Sequence, residues 1–490
     1  MTPFKQGLTI PGVSLAAIAP EVILSGGALL VLIVGAGLKR QRPHVLAAVS
    51  VVFLAGAAVA AALGGGEQRF AFDSAIALDG FSTFFKIVLA LIAIVAVLAS
   101  SSFLDSERAP ATEYFGLLML GTAGMMLMTA ASDLITIFLA LETFSLALYV
   151  LAAFRRSRLD SQEGALKYFL TGSFSSAFFL FGVALIYGGI GSTRLSAISR
   201  RISAGDVLNE PLLMAGLALL IVGLAFKVAA VPFHMWTPDA YQGSPAPVSG
   251  FMAAGSKVAG FAALLRILMA AVPELVTAWR PVIAALAILT MIVGAVVAVV
   301  QTNVKRMLAY SSIAHSGFVL TGVAAANERA LSGSLFYLAV YTFVILGSFA
   351  VVYAVGNPGE DRVELKHYRG LWSSRPFLAG ALALLLISLA GVPPTAGFWA
   401  KFEVFAAAAD AGLYPLVVIG VITSAIAAIF YLRVIVQMFL EEAPEWVGQP
   451  VGTLVSTGTA LLICSAVVVI LGVFPAPLLD FARSATLLTR

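Results

Sequence analysis

Seven charged side chains interrupt otherwise apolar runs of this chain: Glu142, Lys167, Lys227, Lys257, Arg266, Lys401 and Arg433. Each such charge costs at least ~2.5 kcal/mol at the centre of a bilayer, so it is expected to have a partner or a task. Lysine and glutamate can give up or take a proton there, whereas arginine keeps its charge. The chemistry this set supports is proton transfer. Glu142, Lys227, Lys257 and Lys401 are the candidate proton-transfer groups, and Lys167, His234 and His315 are relay candidates. Histidine titrates near neutral pH and can pass protons between neighbours. His234 and His315 could equally be hydrogen-bonded core residues, or in principle two ligands of one haem; His44 and His367 fall in loops. Arg266 and Arg433 lie nearer the ends of their runs and are expected to snorkel to the interface. Asp79, Lys86 and Asp133 are read as interfacial in the same way.

The runs themselves exclude a water-soluble fold. Of 490 residues, 60% are hydrophobic and 11% charged, against roughly 25% charge in an ordinary soluble domain. Mean hydropathy is +1.01. The net charge of +4 is spread over short loops and does not indicate a nucleic-acid partner. Cys464 is the only cysteine, so this chain by itself builds neither a disulfide framework nor a thiolate-ligated iron–sulfur cluster. The spacing of its residues shows no phosphate-cradling, dinucleotide or zinc motif, and neither a cofactor nor a metal site is expected. Glu21 falls inside the first apolar run, where a signal-peptide core should be uncharged, so that run is read as a retained helix.

The elements that must position these groups are about fourteen transmembrane helices, because an apolar run of about 20 residues spans a core about 30 Å thick. They are expected at 15–38, 44–63, 79–103, 112–130, 133–154, 163–187, 211–231, 245–271, 279–300, 305–326, 328–355, 376–400, 414–440 and 454–475. Helices are required because lipid offers the backbone no hydrogen bonds. The seventh is broken at Pro232 and the twelfth at Pro393 and Pro394, since proline removes an amide donor and clashes with the preceding turn. Two breaks five helices apart reverse chain direction, which fits two inverted five-helix repeats, helices 4–8 (112–271) and 9–13 (279–440), flanked by residues 1–111 and 454–490. Two unrelated packing kinks are the plainer alternative. Lys227 precedes its break by five residues and Lys401 follows its break by seven, so both lie beside unwound backbone where water can enter. Basic residues concentrate in the loops after odd-numbered helices, as in Lys39-Arg40-Gln41-Arg42 and Arg155-Arg156-Ser157-Arg158. That places these loops in the cytoplasm and both termini on the periplasmic side, with Arg194, Arg200 and Arg201 breaking the pattern.

The stretch Phe226-Lys227-Val228-Ala229-Ala230-Val231-Pro232-Phe233-His234-Met235-Trp236-Thr237-Pro238-Asp239-Ala240-Tyr241-Gln242-Gly243 resembles the antiporter-like membrane subunits of respiratory NADH:quinone oxidoreductase, complex I. Leu141-Glu142, Ser256-Lys257 and Gly391-Val392-Pro393-Pro394-Thr395-Ala396-Gly397-Phe398-Trp399-Ala400-Lys401-Phe402 are similar to further motifs of that family. The continuation Tyr241-Gln242-Gly243-Ser244-Pro245-Ala246-Pro247 and the lysine at 401 favour the subunit N branch. A chain ending at Arg490, without a long lateral helix, is unlike the subunit L branch.

The resemblance implies a proton-translocating subunit of the bacterial inner membrane in which Glu142 and Lys227 form a pair, Lys257 continues the central path and Lys401 faces the far half-channel. It implies partners in the other membrane-arm subunits and the lipid bilayer, with NADH, quinone, flavin and iron–sulfur centres held elsewhere in the complex. The alternative is a subunit of a cation/proton antiporter; sodium would need carboxylates and carbonyls, and Glu142 is the one deep carboxylate the sequence suggests. A purely structural membrane scaffold is the reading from a different class.

Overall fold

The computed structural model describes residues 14–37, 42–66, 68–356, 362–442 and 455–488; Lys39, Arg40 and Gln41 of the first basic loop lie outside them. Thirteen helices are long and apolar enough to cross a membrane. Two shorter helices, Pro376–Ala390 and Ala396–Asp410, together make one further crossing, the twelfth in chain order. The architecture is that of an all-α polytopic membrane protein.

Burial sorts these spans into a centre and a periphery. The eighth, Ala246–Ala271, and the eleventh, Glu328–Val355, are buried through their apolar cores, and the tenth, Val304–Ala325, nearly so. A helix buried on every face has no lipid-facing stripe, so Lys257 and His315, on the eighth and tenth, sit at the centre of the protein. The first, second, ninth, thirteenth and fourteenth spans bury one face and present Leu, Val and Ile on the other.

The seventh span ends as a helix at Lys227 and resumes at Trp236–Gly243. Between them Ala229 takes φ +58° and the Val231–Pro232 bond is cis. Backbone groups released by the break find partners: Thr290 Oγ1 accepts from Val231 N at 2.9 Å, and Phe226 O accepts from Trp236 Nε1 at 3.1 Å. The twelfth span stops at Ala390, turns through Gly391 at φ +84° and the cis Pro393–Pro394 bond, and resumes at Ala396. Ser388 Oγ accepts from Gly397 N at 3.1 Å across that gap.

Several expected boundaries move. The sixth span is Leu159–Ile190 rather than 163–187, because Asp160 and Gln162 are accommodated in its first turn near the membrane surface. The seventh is helical only to Lys227, not to 231, since the proline withdraws the preceding turn. The twelfth does not end at 400: its second half runs to Asp410, which puts Lys401 inside a helix and not at its end. The eighth span contains two π-helical stretches, Met252–Ser256 directly before Lys257 and Ile267–Ala271 directly after Arg266. Such turns widen a helix locally and re-aim the side chains that follow. Outside the spans lie an antiparallel hairpin, Arg69–Ala71 against Ile76–Leu78, and a short amphipathic helix, Leu195–Ser203.

Candidate functional site

Lys227 ends the first half of the seventh span and is buried. Its Nζ donates to Ser145 Oγ at 2.7 Å and approaches Tyr168 OH at 3.4 Å, with the rings of Phe144, Tyr149 and Tyr168 around it. Ring faces attract a cation through their quadrupole without neutralising it. Glu142, on the same fifth span (Leu134–Ala152) as Ser145, is half-buried and accepts a hydrogen bond from Ser176 Oγ of the sixth. Glu142 and Lys227 therefore stand on neighbouring elements, each held by a serine hydroxyl, and are not in ion-pair contact.

Lys257 follows the π-helical turn of the eighth span and donates to Ser312 O of the tenth, beside the Tyr341 ring. Tyr341 OH donates to Ser312 Oγ at 2.8 Å. One turn further along the tenth span, His315 lies between two phenols: Nδ1 is 2.6 Å from Tyr337 OH and Nε2 3.3 Å from Tyr431 OH. Lys401 reaches back from the second half of the twelfth span to its first half, donating to Ala390 O at 2.9 Å and to Ser424 Oγ at 2.5 Å, with Phe318 of the tenth span beneath it. Ala390 O is an end carbonyl of a half-helix, where the backbone dipole favours a cation.

The lysines of this line differ from Lys86 and Arg266, which meet buried carboxylates. Lys227, Lys257 and Lys401 have oxygens of hydroxyls and carbonyls and aromatic faces as partners, and no carboxylate within ion-pair distance. Arg266, expected to snorkel, is instead fully buried and paired with Asp79 at 2.8 and 3.0 Å while also donating to Thr129 O. Asp79 is buried within the protein and caps the third span (Gly80–Ser106). Lys86 is likewise buried, 2.8 Å from Glu21. A pairing partner explains why these charges go deep, and chain position near a helix end could not reveal it. Arg433 donates to Val299 O and Gln301 O, which cap the ninth span. Asp133 caps the fifth span through Ile135 N at 2.8 Å.

Lys167 and His234 sit to one side of the line. Lys167 is exposed on this chain and paired with Glu163 at 2.7 Å and Asp239 at 2.9 Å. His234 is half-buried just past the break in the seventh span. Four residues were missed. Glu403, two residues beyond Lys401, is buried and paired with Arg329 at 3.0 Å; ending the twelfth span at 400 had left it out of the membrane. Glu21 and Asp79 are likewise carboxylates buried within the protein. Lys305 is buried and donates to Ser244 O at 2.5 Å, and Tyr337 and Tyr431 face the two ring nitrogens of His315. Among the described residues no group of three or more His, Cys, Asp or Glu could hold a metal ion.

Fold and site thus define a class: a multi-pass membrane protein with two discontinuous helices and buried lysines beside each break. Residues 131–427 match the family described as NADH:quinone oxidoreductase/Mrp antiporter, TM. NADH-quinone oxidoreductase subunit N of Trichlorobacter lovleyi is 44% identical over 96% of this chain and 97% of its own length. Its counterpart from Mycobacterium bovis is 51% identical over 81% of this chain and 75% of its own length. A chain of respiratory complex I from Thermus thermophilus superposes with a TM-score of 0.79 at 35% identity, covering 95% of this chain and all of that one. The chain belongs to the subunit N family of NADH-quinone oxidoreductase.

Proposed function

We propose that this membrane-arm subunit moves protons along Lys227, Lys257, His315 and Lys401, with Glu142 biasing the charge on Lys227 and redox chemistry in partner subunits supplying the drive. The observation that carries this reading is the contrast in partners. Lys86 and Arg266 are locked by buried carboxylates, whereas the three lysines of the line are held by neutral groups that accept either charge state. A buried cation tied to a carboxylate is held charged; one tied to neutral oxygens can release its proton. Moving one proton against ~200 mV takes roughly 4.6 kcal/mol, so the drive must come from chemistry of that scale.

NADH, quinone, flavin and the iron–sulfur centres are assigned to partner subunits, and this chain to the bacterial inner membrane among the other membrane-arm subunits. Both termini are assigned to the periplasmic side. Two of the three arginines that broke the charge pattern have local work there: Arg194 pairs with Asp73 and Arg201 caps the sixth span at Ile190 O.

The inverted repeats, 112–271 and 279–440, are supported by matched junctions. Leu134 N donates to Thr193 O at 2.9 Å and Leu195 N to Ser132 O at 3.0 Å. With the same residue spacing, Val304 N donates to Val363 O at 2.7 Å and Leu365 N to Thr302 O at 2.8 Å. The bridges Asp133 to Arg194 and Asn303 to Glu364 keep that register. In it Glu142 corresponds to Ser312 and Ser145 to His315, so the two halves place different chemistry at matched positions.

The test is proton uptake per quinone reduced by the intact complex in sealed vesicles, comparing wild type with Lys257→Ala. Unchanged uptake at normal assembly counts against the line.

A further inference from the structure

We propose that Tyr337 and Tyr431 are positioning residues that set the tautomer of His315, and that one water beside Tyr337 completes the path from His315 to the break in the twelfth span. The proposal rests on the proton-relay reading above. His315, Tyr337 and Tyr431 come from three different spans, the tenth, eleventh and thirteenth, and all are buried. Both ring nitrogens face a phenol oxygen, at 2.6 Å for Nδ1 and 3.3 Å for Nε2, and Tyr431 OH also shares a hydrogen with Ser311 Oγ.

This arrangement has two self-consistent hydrogen patterns. In the first, Tyr337 donates to Nδ1, Nε2–H donates to Tyr431, and Tyr431 donates to Ser311. In the second, Ser311 donates to Tyr431, Tyr431 donates to Nε2, and Nδ1–H donates to Tyr337, whose own hydrogen must then point elsewhere. The space beside it is a cavity of about 10 Å³ lined by His315, Tyr337, Tyr341, Ser388, Gly397 and Ala400. That is room for about one water, and the hydroxyl-bearing residues Tyr337, Tyr341 and Ser388 are among those that line it.

Starting from the second pattern, a proton delivered to Ser311 Oγ lets Ser311 pass its own hydrogen to Tyr431 oxygen and Tyr431 its hydrogen to Nε2. The Nδ1 proton then goes to Tyr337 oxygen and the hydrogen of Tyr337 to the water, which carries the proton on toward the twelfth span. One proton has crossed the ring, which is left neutral in its other tautomer. Ser388 and Gly397 flank the gap in the twelfth span, and Ala400 adjoins Lys401, so the water stands between the histidine and that lysine's half-helices.

The groups facing His315 are Lys257, Tyr337, Tyr341, Lys401 and Tyr431. Tyr337→Phe keeps the packed ring and removes the hydroxyl. In the intact complex it should lower proton uptake per quinone reduced at least several-fold and displace the pH profile of that uptake. Tyr431→Phe should do the same, and stands in if the first variant does not assemble. Tyr353→Phe, whose hydroxyl bonds Ser106 outside this network, should behave as wild type. A Tyr337→Phe complex with wild-type uptake and an unmoved pH profile, while His315→Ala is defective, overturns the positioning role. Wild-type uptake in His315→Ala as well overturns the relay reading beneath it.

Discussion

Glu142 and Lys227 are close enough to bias one another through the field of the other's charge, yet each is satisfied by its own serine. An ion pair that is not closed at rest can be closed by a neighbour, which is what a switch requires. Glu142→Gln or Lys227→Ala should therefore leave an assembled complex whose proton uptake per quinone in vesicles falls by an order of magnitude or so; normal uptake in both would show that the pair is dispensable. Lys401 gives a sharper comparison. Its partners, Ala390 O and Ser424 Oγ, need a donor but not a permanent charge. Lys401→Ala should lose coupled turnover, and Lys401→Arg should remain defective because a guanidinium does not release its proton at physiological pH. Rescue by arginine to near wild type, measured as proton uptake with assembly checked in parallel, would leave Lys401 as a fixed charge only.

At the scale of the element, the break in the twelfth span is held by a glycine that cannot be replaced cheaply. Gly391 has φ +84°, and a Cβ there would lie 2.8 Å from Lys401 Cδ. Gly391→Ala should cost about 1–2 kcal/mol for the left-handed backbone and displace the lysine as well. Gly412→Ala is the control: its φ is +73°, but nothing lies within 4 Å of the added Cβ. Both variants should lower thermal stability of the purified complex, and only Gly391→Ala should lower proton uptake per quinone. Equal uptake in the two would separate the turn from the lysine. The existence of both breaks was legible in Pro232, Pro393 and Pro394, because a missing amide acts locally whatever the tertiary context. Their extent was not. Apolar content does not distinguish Ala400 at a helix end from Ala400 in mid-helix, so the second half of the twelfth span and Glu403 were lost together.

For the whole molecule, the buried Asp79–Arg266 pair joins the third span, the eighth span and the C-terminal segment, since Leu488 N also donates to Asp79 Oδ2 at 3.0 Å. Removing one partner of a buried pair leaves the other charge uncompensated, typically about 3–5 kcal/mol, whereas removing both is often nearly neutral. Asp79→Asn should sharply reduce the amount of complex recovered intact after solubilisation, and the double change Asp79→Leu with Arg266→Met should restore most of it. If the double variant is as poorly recovered as the single one, the pair does not act as a tie. The sequence by itself determined the membrane setting, the number of crossings, the two interruptions and the lysines worth attention, because transfer cost and proline geometry depend only on residue type and spacing. Only the tertiary structure decided which charges meet a carboxylate and which meet neutral oxygens, since a charge's partner is set by the packing of distant spans. Arg266 and Lys257 lie on the same span; one meets Asp79 and the other the carbonyl of Ser312.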